Sequence, residues 1–165
     1  METTNLDIYG HDALPWSRAR DAMAANPGAS VTYFLGTVNP DGTPHAAGLG
    51  AAWADDTIWF VTGPGTRKAR NLDANPACTL SGRLPEIDMV LEGHAARETD
   101  PATLKRIVAV YNGLGWPAEV DGDAFTAPFS APSAGRPPWH LYRFTIETAF
   151  GVATVEPWGA TRWRF

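Results

Sequence analysis

Runs of β-branched and aromatic residues, separated by turn signals, predict short β-strands along most of the chain. Residues 31–38 and 57–61 are two such runs, and residues 87–97 form a longer one. Between the first two runs, Asn39-Pro40-Asp41-Gly42 predicts a tight turn, from which residues 43–53 return as a further strand. The remaining predicted strands are residues 77–82, 139–146, 149–155 and 161–165.

Apolar residues at helical spacing predict three short helices between these strands. In the first helix, Trp16, Ala19 and Met23 share one face, and in the third, Leu104 and Ile107 begin a stripe that faces the core. The first helix is expected at residues 15–25 and ends at Asn26-Pro27-Gly28. The second is expected to run from its N-cap, Thr66, to Asn75-Pro76. The third is expected to begin at Asp100-Pro101 and to end at Gly113 and Gly115. About seven strands and three helices in this order predict a mainly β fold, an antiparallel barrel with peripheral helices.

Two segments do not fit this pattern of strands and helices. Residues 1–14 are expected to be a loose N-terminal arm. Residues 116–138 form a long irregular stretch, and loops of this length in small domains are usually either functional or disordered. The proline and aromatic residues of this stretch favour a loop packed over a site or a partner subunit. Residues 1–165 are expected to form a single domain.

Composition narrows the class of protein without changing the predicted fold. The chain has 165 residues, 44% of them apolar, which suffices for one domain with a core. A formal net charge of −5 leaves no broad basic face and argues against nucleic acid as the main partner. A single cysteine, Cys78, excludes an internal disulfide framework, and no apolar run is long enough to suggest a membrane span. We therefore expect a soluble cytoplasmic protein.

The segment Thr62-Gly63-Pro64-Gly65-Thr66-Arg67-Lys68-Ala69-Arg70 contains the strongest candidate site. A strand enters it, a Gly-Pro-Gly turn follows, and the hydroxyl of Thr66 can cap the helix that comes next. Arg67, Lys68 and Arg70 add three cations beside a helix N-terminus, which itself favours anions. A phosphate group is the simplest ligand for this arrangement, and a solvated basic turn is the alternative.

Residues 46–52 are nearly all alanine or glycine, which is unusual for a strand. Glycine weakens a strand interior and often marks a place where a ligand or another backbone comes close. A crowded barrel interior explains the pattern nearly as well. Both interpretations remain open from the sequence.

The sequence shows no evident catalytic side chain. The four histidines, His11, His45, His94 and His140, stand alone, and neither metal-binding spacing nor a G-x-S-x-G serine motif occurs. Cys78 lies in an apolar strand and is expected to be an inert core residue. No catalytic residue and no metal ligand is therefore predicted. A phosphate site without such a side chain suggests that a cofactor carries the chemistry.

Several elements of the sequence resemble the pyridoxamine 5′-phosphate oxidase-like superfamily, which also contains flavin and deazaflavin oxidoreductases. The resemblance covers most of residues 30–165. Its elements are Arg67-Lys68-x-x-Asn71-Leu72-x-x-Asn75-Pro76, which is the most specific, Tyr33-Phe34-Leu35-Gly36-Thr37-Val38, Asp41-Gly42-x-Pro44-His45, Trp59-Phe60-Val61-Thr62 and Arg162-Trp163-Arg164-Phe165. The resemblance implies a split β-barrel homodimer with two cofactor sites at the subunit interface.

The resemblance also implies which residues bind the cofactor. Arg67 and Lys68 match the pair that holds its phosphate, and Arg162 matches a position from which the partner subunit reaches the polar edge of the ring. The backbone of residues 46–50 matches the strand that faces the isoalloxazine ring, which small side chains allow to lie flat. The implied cofactor-binding residues are Ala46, Ala47, Gly48, Leu49, Phe60, Val61, Thr62, Gly65, Thr66, Arg67, Lys68 and Arg162.

The implied activity is hydride transfer between a bound cofactor and a small organic substrate. Oxidation of pyridoxamine phosphate itself is not expected, because Glu156-Pro157-Trp158-Gly159-Ala160-Thr161 stands in place of the arginine–histidine substrate clamp of the true oxidase. Two cofactors remain open, FMN and the deazaflavin coenzyme F420, and the Ala-, Gly- and Trp-rich composition slightly favours the deazaflavin. The alternative function is non-enzymatic: a flavin or deazaflavin carrier, a redox sensor or a haem-binding split barrel.

Overall fold

Eleven strands and three helices make up the part of the chain that the structure, a computed structural model, describes: residues 1–26, 30–132 and 134–165. In chain order, the elements are β1 Glu2–Asn5, α1 Trp16–Ala25, β2 Tyr33–Val38, β3 Pro44–Leu49, β4 Ala51–Ala54, β5 Thr57–Thr62, α2 Arg67–Ala74, β6 Ala77–Leu84, β7 Ile87–Glu98, α3 Pro101–Gly113, β8 Glu119–Asp121, β9 Ala124–Thr126, β10 His140–Ala153 and β11 Ala160–Arg164. Each strand pair is antiparallel, which confirms the predicted mainly β fold.

Nine of the strands form one sheet, which divides at β10. The strand order is β1-β11-β10-β7-β6-β2-β3, and β5 joins β10 and carries β4 on its other side. Along one edge, β10 pairs with β7 over nearly its whole length. Along its other edge, residues 140–144 pair with β5 and residues 148–152 pair with β11. The sheet is therefore split between β5 and β11, as the expected split barrel requires.

The barrel core comes from the inward-facing residue of each strand. Leu35, Leu80 and Leu91 lie side by side on β2, β6 and β7, and all three are buried. Helix α1 adds Ala19 and Met23 to this core. A second cluster lies on the outside of β5 and β10, beneath the apolar stripe of α3. Strand β5 is consequently covered on both faces, which explains why its sequence is an almost unbroken apolar run.

Two strand predictions in the middle and late parts of the chain are wrong. The single strand expected over residues 43–53 is interrupted at Gly50, which separates β3 from β4. The two strands expected over residues 139–155 are one strand, β10, with a register shift between Ile146 and Thr148. The extra residue, Glu147, forms a β-bulge that moves the inward positions from even to odd numbers. This reversal makes one continuous strand look like two.

The expectation of a loose N-terminal arm is wrong for residues 2–5, which form β1. This strand pairs with β11, and Nη2 of Arg162 donates to Oγ1 of Thr4 at 3.2 Å. Strand β1 covers an edge of β11 that would otherwise be left unpaired. Further along the arm, Leu14 is buried and its amide donates to Oγ1 of Thr161 at 2.7 Å.

The remaining differences concern connections between the elements. Residues 116–138 are not wholly irregular, because β8 and β9 form a small hairpin there with Gly122 at a φ of 62° in its turn. The first helix ends at its C-cap, Asn26, while Pro27 and Gly28 lie outside the described residues. Among the residues that the structure describes, no helix is long and apolar enough to cross a membrane.

The side-chain amide of Asn71 ties α2 to the hairpin of β2 and β3. Its Nδ2 donates to Oγ1 of Thr37 and to Oδ1 of Asn39, both at 3.0 Å. Asn71 and Thr37 are buried, so water does not compete for the bond between them. Asn39 in turn donates from Nδ2 to Oγ1 of Thr43 at 3.0 Å. These bonds hold the start of α2, and the turn before it, in a fixed position beside the hairpin.

We expect Asn71→Ala to lower the free energy of unfolding by about 1–3 kcal/mol, because it removes the donor to the buried hydroxyl of Thr37 and to the part-buried amide oxygen of Asn39. Asn75→Ala is the matched control at the end of the same helix. Asn75 is exposed and accepts one local hydrogen bond, from the amide of Ala77, so we expect a loss of at most about 0.5 kcal/mol. Urea unfolding followed by tryptophan fluorescence measures both variants. Equal losses in the two would contradict an anchoring role for Asn71.

Candidate functional site

Hydroxyl groups organise the turn between β5 and α2. Oγ1 of Thr66 donates to the carbonyl of Gly63 at 2.8 Å and accepts from the amide of Ala69 at 3.3 Å, so Thr66 is the predicted N-cap. Oγ1 of Thr62 lies 3.0 Å from that of Thr66. Since the Thr66 proton is already donated to Gly63, Thr62 is the donor in this contact, and the Thr66 hydroxyl then uses its proton and both lone pairs. The turn is fixed by its own hydrogen bonds.

The three cations of the segment lie in three different environments. Lys68 is buried, and burial lowers its pKa. Arg70 is exposed and turns back to donate from Nη1 to the carbonyl of Gly65. Arg67, at the first helical position, is exposed. Arg67 is therefore the cation that is best placed to meet an anion at the N-terminus of α2.

An exposed carboxylate, Asp41, lies in the turn between β2 and β3, close to Arg67. Hydrogen bonds from the hydroxyl and amide of Thr43 hold the pKa of Asp41 below its usual value, and the charge of Arg67 acts in the same direction. Asp41 is therefore ionised at neutral pH and offsets part of the positive charge. Two exposed guanidinium groups, those of Arg67 and Arg70, lie near the start of α2 together with this one carboxylate.

The loop at residues 127–132 and 134–138 packs against this turn. The carbonyl oxygen of Ala134 approaches Gly63 so closely that a Cβ on Gly63 would lie 2.1 Å from it. Trp139 is fully buried beside the loop, and its Nε1 donates to the carbonyl of Gly135 at 3.2 Å. The loop thus packs against one side of the turn, and its covering of a bound ligand remains a prediction. Its contact with a partner subunit remains a prediction.

The small residues of β3 alternate between the two faces of the sheet. Ala47 and Leu49 face the core, where Ala47 lies opposite the buried Leu35 of β2. Ala46 is exposed and Gly48 is half-buried, and both face outward. Crowding inside the barrel can therefore apply to Ala47, which faces inward, but not to Ala46, which faces outward. The outward half of the strand is open to a flat ligand, and contact with one remains a prediction.

The three site residues predicted on β5 use their side chains inside the protein. Phe60 is buried and stacks on Tyr142, with 5.4 Å between ring centroids and 4° between ring planes. Val61 faces the other way and packs near Trp139. Thr62 is buried and bonded to Thr66 in the turn. Phe60 and Val61 thus contribute to packing and Thr62 to the turn, and a direct contact of these residues with a cofactor remains a prediction.

Arg162 lies on the outward face of the sheet, far from β3 of the same chain. The strand register aligns it in one row, here called the outer-face row, with Thr4, Phe150, Val90, Ser81, Phe34 and Gly48. Five strand spacings of ~4.8 Å place about 24 Å of sheet between Arg162 and Gly48. Nε of Arg162 is buried, and it has no hydrogen-bond partner within the described part of the chain. Within one chain, the structure does not bring Arg162 to the other predicted site residues.

Two features near the site had no signal of their own in the sequence. Asn71 is part of the sequence motif that carries the family resemblance, but its position in that motif did not show that it anchors α2 to the hairpin. Tyr142 has a buried hydroxyl for which the described residues provide no hydrogen-bond partner, and burial raises its pKa to about 12. Burial likewise raises the pKa of Cys78 to about 12, so its thiol stays protonated, as an inert core residue requires.

Comparison with known proteins agrees with this fold. No curated protein matches the chain. Among solved structures, General Stress Protein 26 from Bacillus anthracis str. Sterne is similar, with a TM-score of 0.58 and 19% identity over 90% of this chain and 99% of that protein. A structure named F420 Reductase has a TM-score of 0.53 and 21% identity over 78% of this chain and 94% of its own.

A third similar structure is an FAD-binding protein from Mesorhizobium loti, with a TM-score of 0.54 and 16% identity over 90% of this chain and 93% of its own. At such identities the structural likeness shows the fold alone. The sequence match is more specific, because residues 19–153 match the family described as Pyridoxamine 5′-phosphate oxidase. Since this match spans most of the chain, the protein belongs to the pyridoxamine 5′-phosphate oxidase family.

Proposed function

We propose that this protein is an oxidoreductase that binds F420 or FMN and transfers hydride between that cofactor and a small organic molecule. The observation that carries the proposal is the pre-formed turn between β5 and α2, with the exposed Arg67 beside the capped N-terminus of α2. Membership of the family and the similar structures named for F420 and FAD support a flavin-type cofactor. Oxidation of pyridoxamine phosphate is not part of the proposal.

The groups around this turn fit a phosphate. Arg67 offers a guanidinium and, at the first helical position, a backbone N–H that has no acceptor within the helix. A Cβ on Gly65 would meet nothing within 4 Å, so an anion can approach this backbone closely. Lys68 adds a buried positive charge, which a neighbouring phosphate would stabilise against the effect of burial. The donors and the open approach suit the oxygen atoms of a phosphate group.

When bound, either cofactor supplies the hydride chemistry, and the protein contributes binding and orientation. Arg67 and Lys68 hold the phosphate, and the outward face of Ala46 and Gly48 receives the flat ring. The loop that packs on Gly63 covers that side of the turn and leaves Gly65 and Arg67 exposed. Most of the catalytic advantage then comes from holding two reactants at ~3–3.5 Å in the right orientation.

A second subunit completes the proposed site. Phe34 is 52% exposed and Val90 is 41% exposed in the outer-face row, and such an apolar surface is typical of an interface. In a twofold dimer, the same face covers itself in both subunits. This arrangement can bring Arg162 of the partner subunit close to β3. Arg162 of the same chain cannot reach β3, because five strand spacings separate the two.

We expect Arg67→Ala to weaken binding of FMN and of F420 by at least about tenfold, because it removes a charge-assisted hydrogen bond worth about 1.5–3 kcal/mol. Lys105→Ala is the control, since it removes one exposed positive charge from α3. Fluorescence titration of the apo protein measures affinity, and urea unfolding checks that both variants fold. Unchanged affinity in Arg67→Ala would show that the phosphate does not bind at this turn.

The dimer is tested by adding a charge to the outer-face row. We expect light scattering to report a dimer at micromolar concentration and Val90→Asp to shift it to the monomer, because the interface would then bury an unpaired carboxylate. Ser17→Asp adds the same charge on the exposed side of α1 and should leave the dimer intact. A monomeric wild-type protein would contradict the two-subunit site.

The choice of cofactor is tested by titrating the apo protein with both candidates at low and high salt. We expect F420 to bind more tightly than FMN, because F420 continues beyond its phosphate into an acidic tail. Arg70 lies beside Gly65 at the turn, and its screened attraction extends over roughly 8–10 Å in physiological salt. The affinity for F420 should therefore fall as the salt concentration rises. Arg70→Gln should reduce the ratio of the affinity for F420 to that for FMN. Tighter binding of FMN would overturn this choice and leave the phosphate site standing.

A further inference from the structure

A cleft of about 450 Å³ opens where the sheet divides between β5 and β11. Its walls include Trp16 and Arg20 of α1, Trp53 of β4, Arg143 of β10 and the C-terminal Phe165, and Asp56 lies at the start of β5. The turn proposed to bind phosphate follows the opposite end of β5. Six residues of strand separate the two regions by about 20 Å, so the cleft is a different place from the phosphate turn.

Aromatic rings form the apolar part of this cleft and are held in place from behind. The ring of Trp16 lies edge-on to Phe165, with 4.8 Å between centroids, and edge-on to Trp163, with 5.3 Å. Trp163 is fully buried in the barrel core, so Trp16 is anchored to a rigid element. Trp53, half-buried on β4, lines the same cleft and packs against the core. The indole rings of Trp16 and Trp53 thus lie in the wall of the cleft, and that of Trp16 is held in place by its aromatic neighbours.

Charged groups of both signs line the cleft. Two guanidinium groups, those of Arg20 and Arg143, line it together with one carboxylate, that of Asp56. Arg20 is paired with Asp21, with 2.8 Å between Nη2 and Oδ1. Arg143 is exposed, and residues 1–26, 30–132 and 134–165 provide no carboxylate within ion-pair distance of it. Its charge is therefore available to an anion that enters the cleft.

We propose that this cleft binds a planar aromatic carboxylate. The guanidinium of Arg143 forms the paired hydrogen bonds that an arginine makes with a carboxylate, and the ring system lies against Trp16 and Trp53. The volume is within the range of pockets that hold small organic molecules, about 300–1,000 Å³. One fixed cation beside flat apolar walls selects for an anionic group attached directly to an aromatic ring. A neutral aromatic compound lacks the first interaction, and an aliphatic acid lacks the second.

Isothermal titration calorimetry with 2-naphthoate tests this site on the full-length protein. We expect saturable binding of one molecule per chain, and binding at least about tenfold weaker for the neutral analogue 2-naphthalenemethanol. Arg143→Gln should weaken binding of 2-naphthoate by about tenfold or more, because it removes the paired hydrogen bonds. Lys105→Gln, which makes the same change in charge on the exposed surface of α3, should leave binding unchanged. Urea unfolding confirms that both variants fold.

The same titrations separate this proposal from the proposed cofactor site. Arg67→Ala should bind 2-naphthoate as the wild-type protein does, and Arg143→Gln should bind FMN and F420 with unchanged affinity. Binding of 2-naphthoate that is lost in Arg67→Ala and kept in Arg143→Gln would overturn the proposal, because the probe would then occupy the phosphate turn. Absence of saturable binding, or equal affinity for the acid and the neutral analogue, would overturn it as well.

Discussion

The pairing of β10 with three neighbours is the constraint on which the rest of the barrel depends. Its 14 residues follow β7 along one edge, while the other edge pairs first with β5 and then with β11. The bulge at Glu147 lies between these two partners and bends the strand there. The first part of β10 thereby holds β5, which leads into the turn before α2, and the last part holds β11, which carries Arg162 on its outward face. The gap that β10 leaves between β5 and β11 is the cleft lined by Arg143.

Neutral side chains fix the structure around the start of α2, and an exposed charged side chain is left to meet a ligand. Thr62, Thr66 and Asn71 fix the position of the turn through bonds that are largely closed within the protein. Arg67 takes no part in that network and remains exposed. A site built in this way needs little ordering when an anion binds, which reduces the entropy cost of binding. Stability and affinity should accordingly depend on different residues.

Burial of β5 determines where ligands can reach the protein. Phe60 faces the barrel interior, and Trp59 faces the cluster beneath α3, whose Tyr111 hydroxyl donates to the carbonyl of Trp59 at 3.1 Å. Both faces of the strand are therefore closed along its middle. Polar and charged groups occur at its two ends, in the turn proposed to bind phosphate after Thr62 and in the cleft beside Asp56. The two proposed sites therefore lie at opposite ends of one strand.

The sequence by itself determined the features that depend on neighbouring residues, and the tertiary structure decided those that depend on distant ones. Thr66 caps its helix as predicted, and Asp100 caps the helix expected to begin there, because a cap bonds to an amide three residues away. Residues 2–5 become β1 only because β11 offers an edge, and Thr4 meets Arg162 across 158 residues of chain. Adjacent residues in one motif also differ, since Arg67 is exposed and Lys68 is buried. Burial depends on what packs against each side of α2, and no local pattern contains that information.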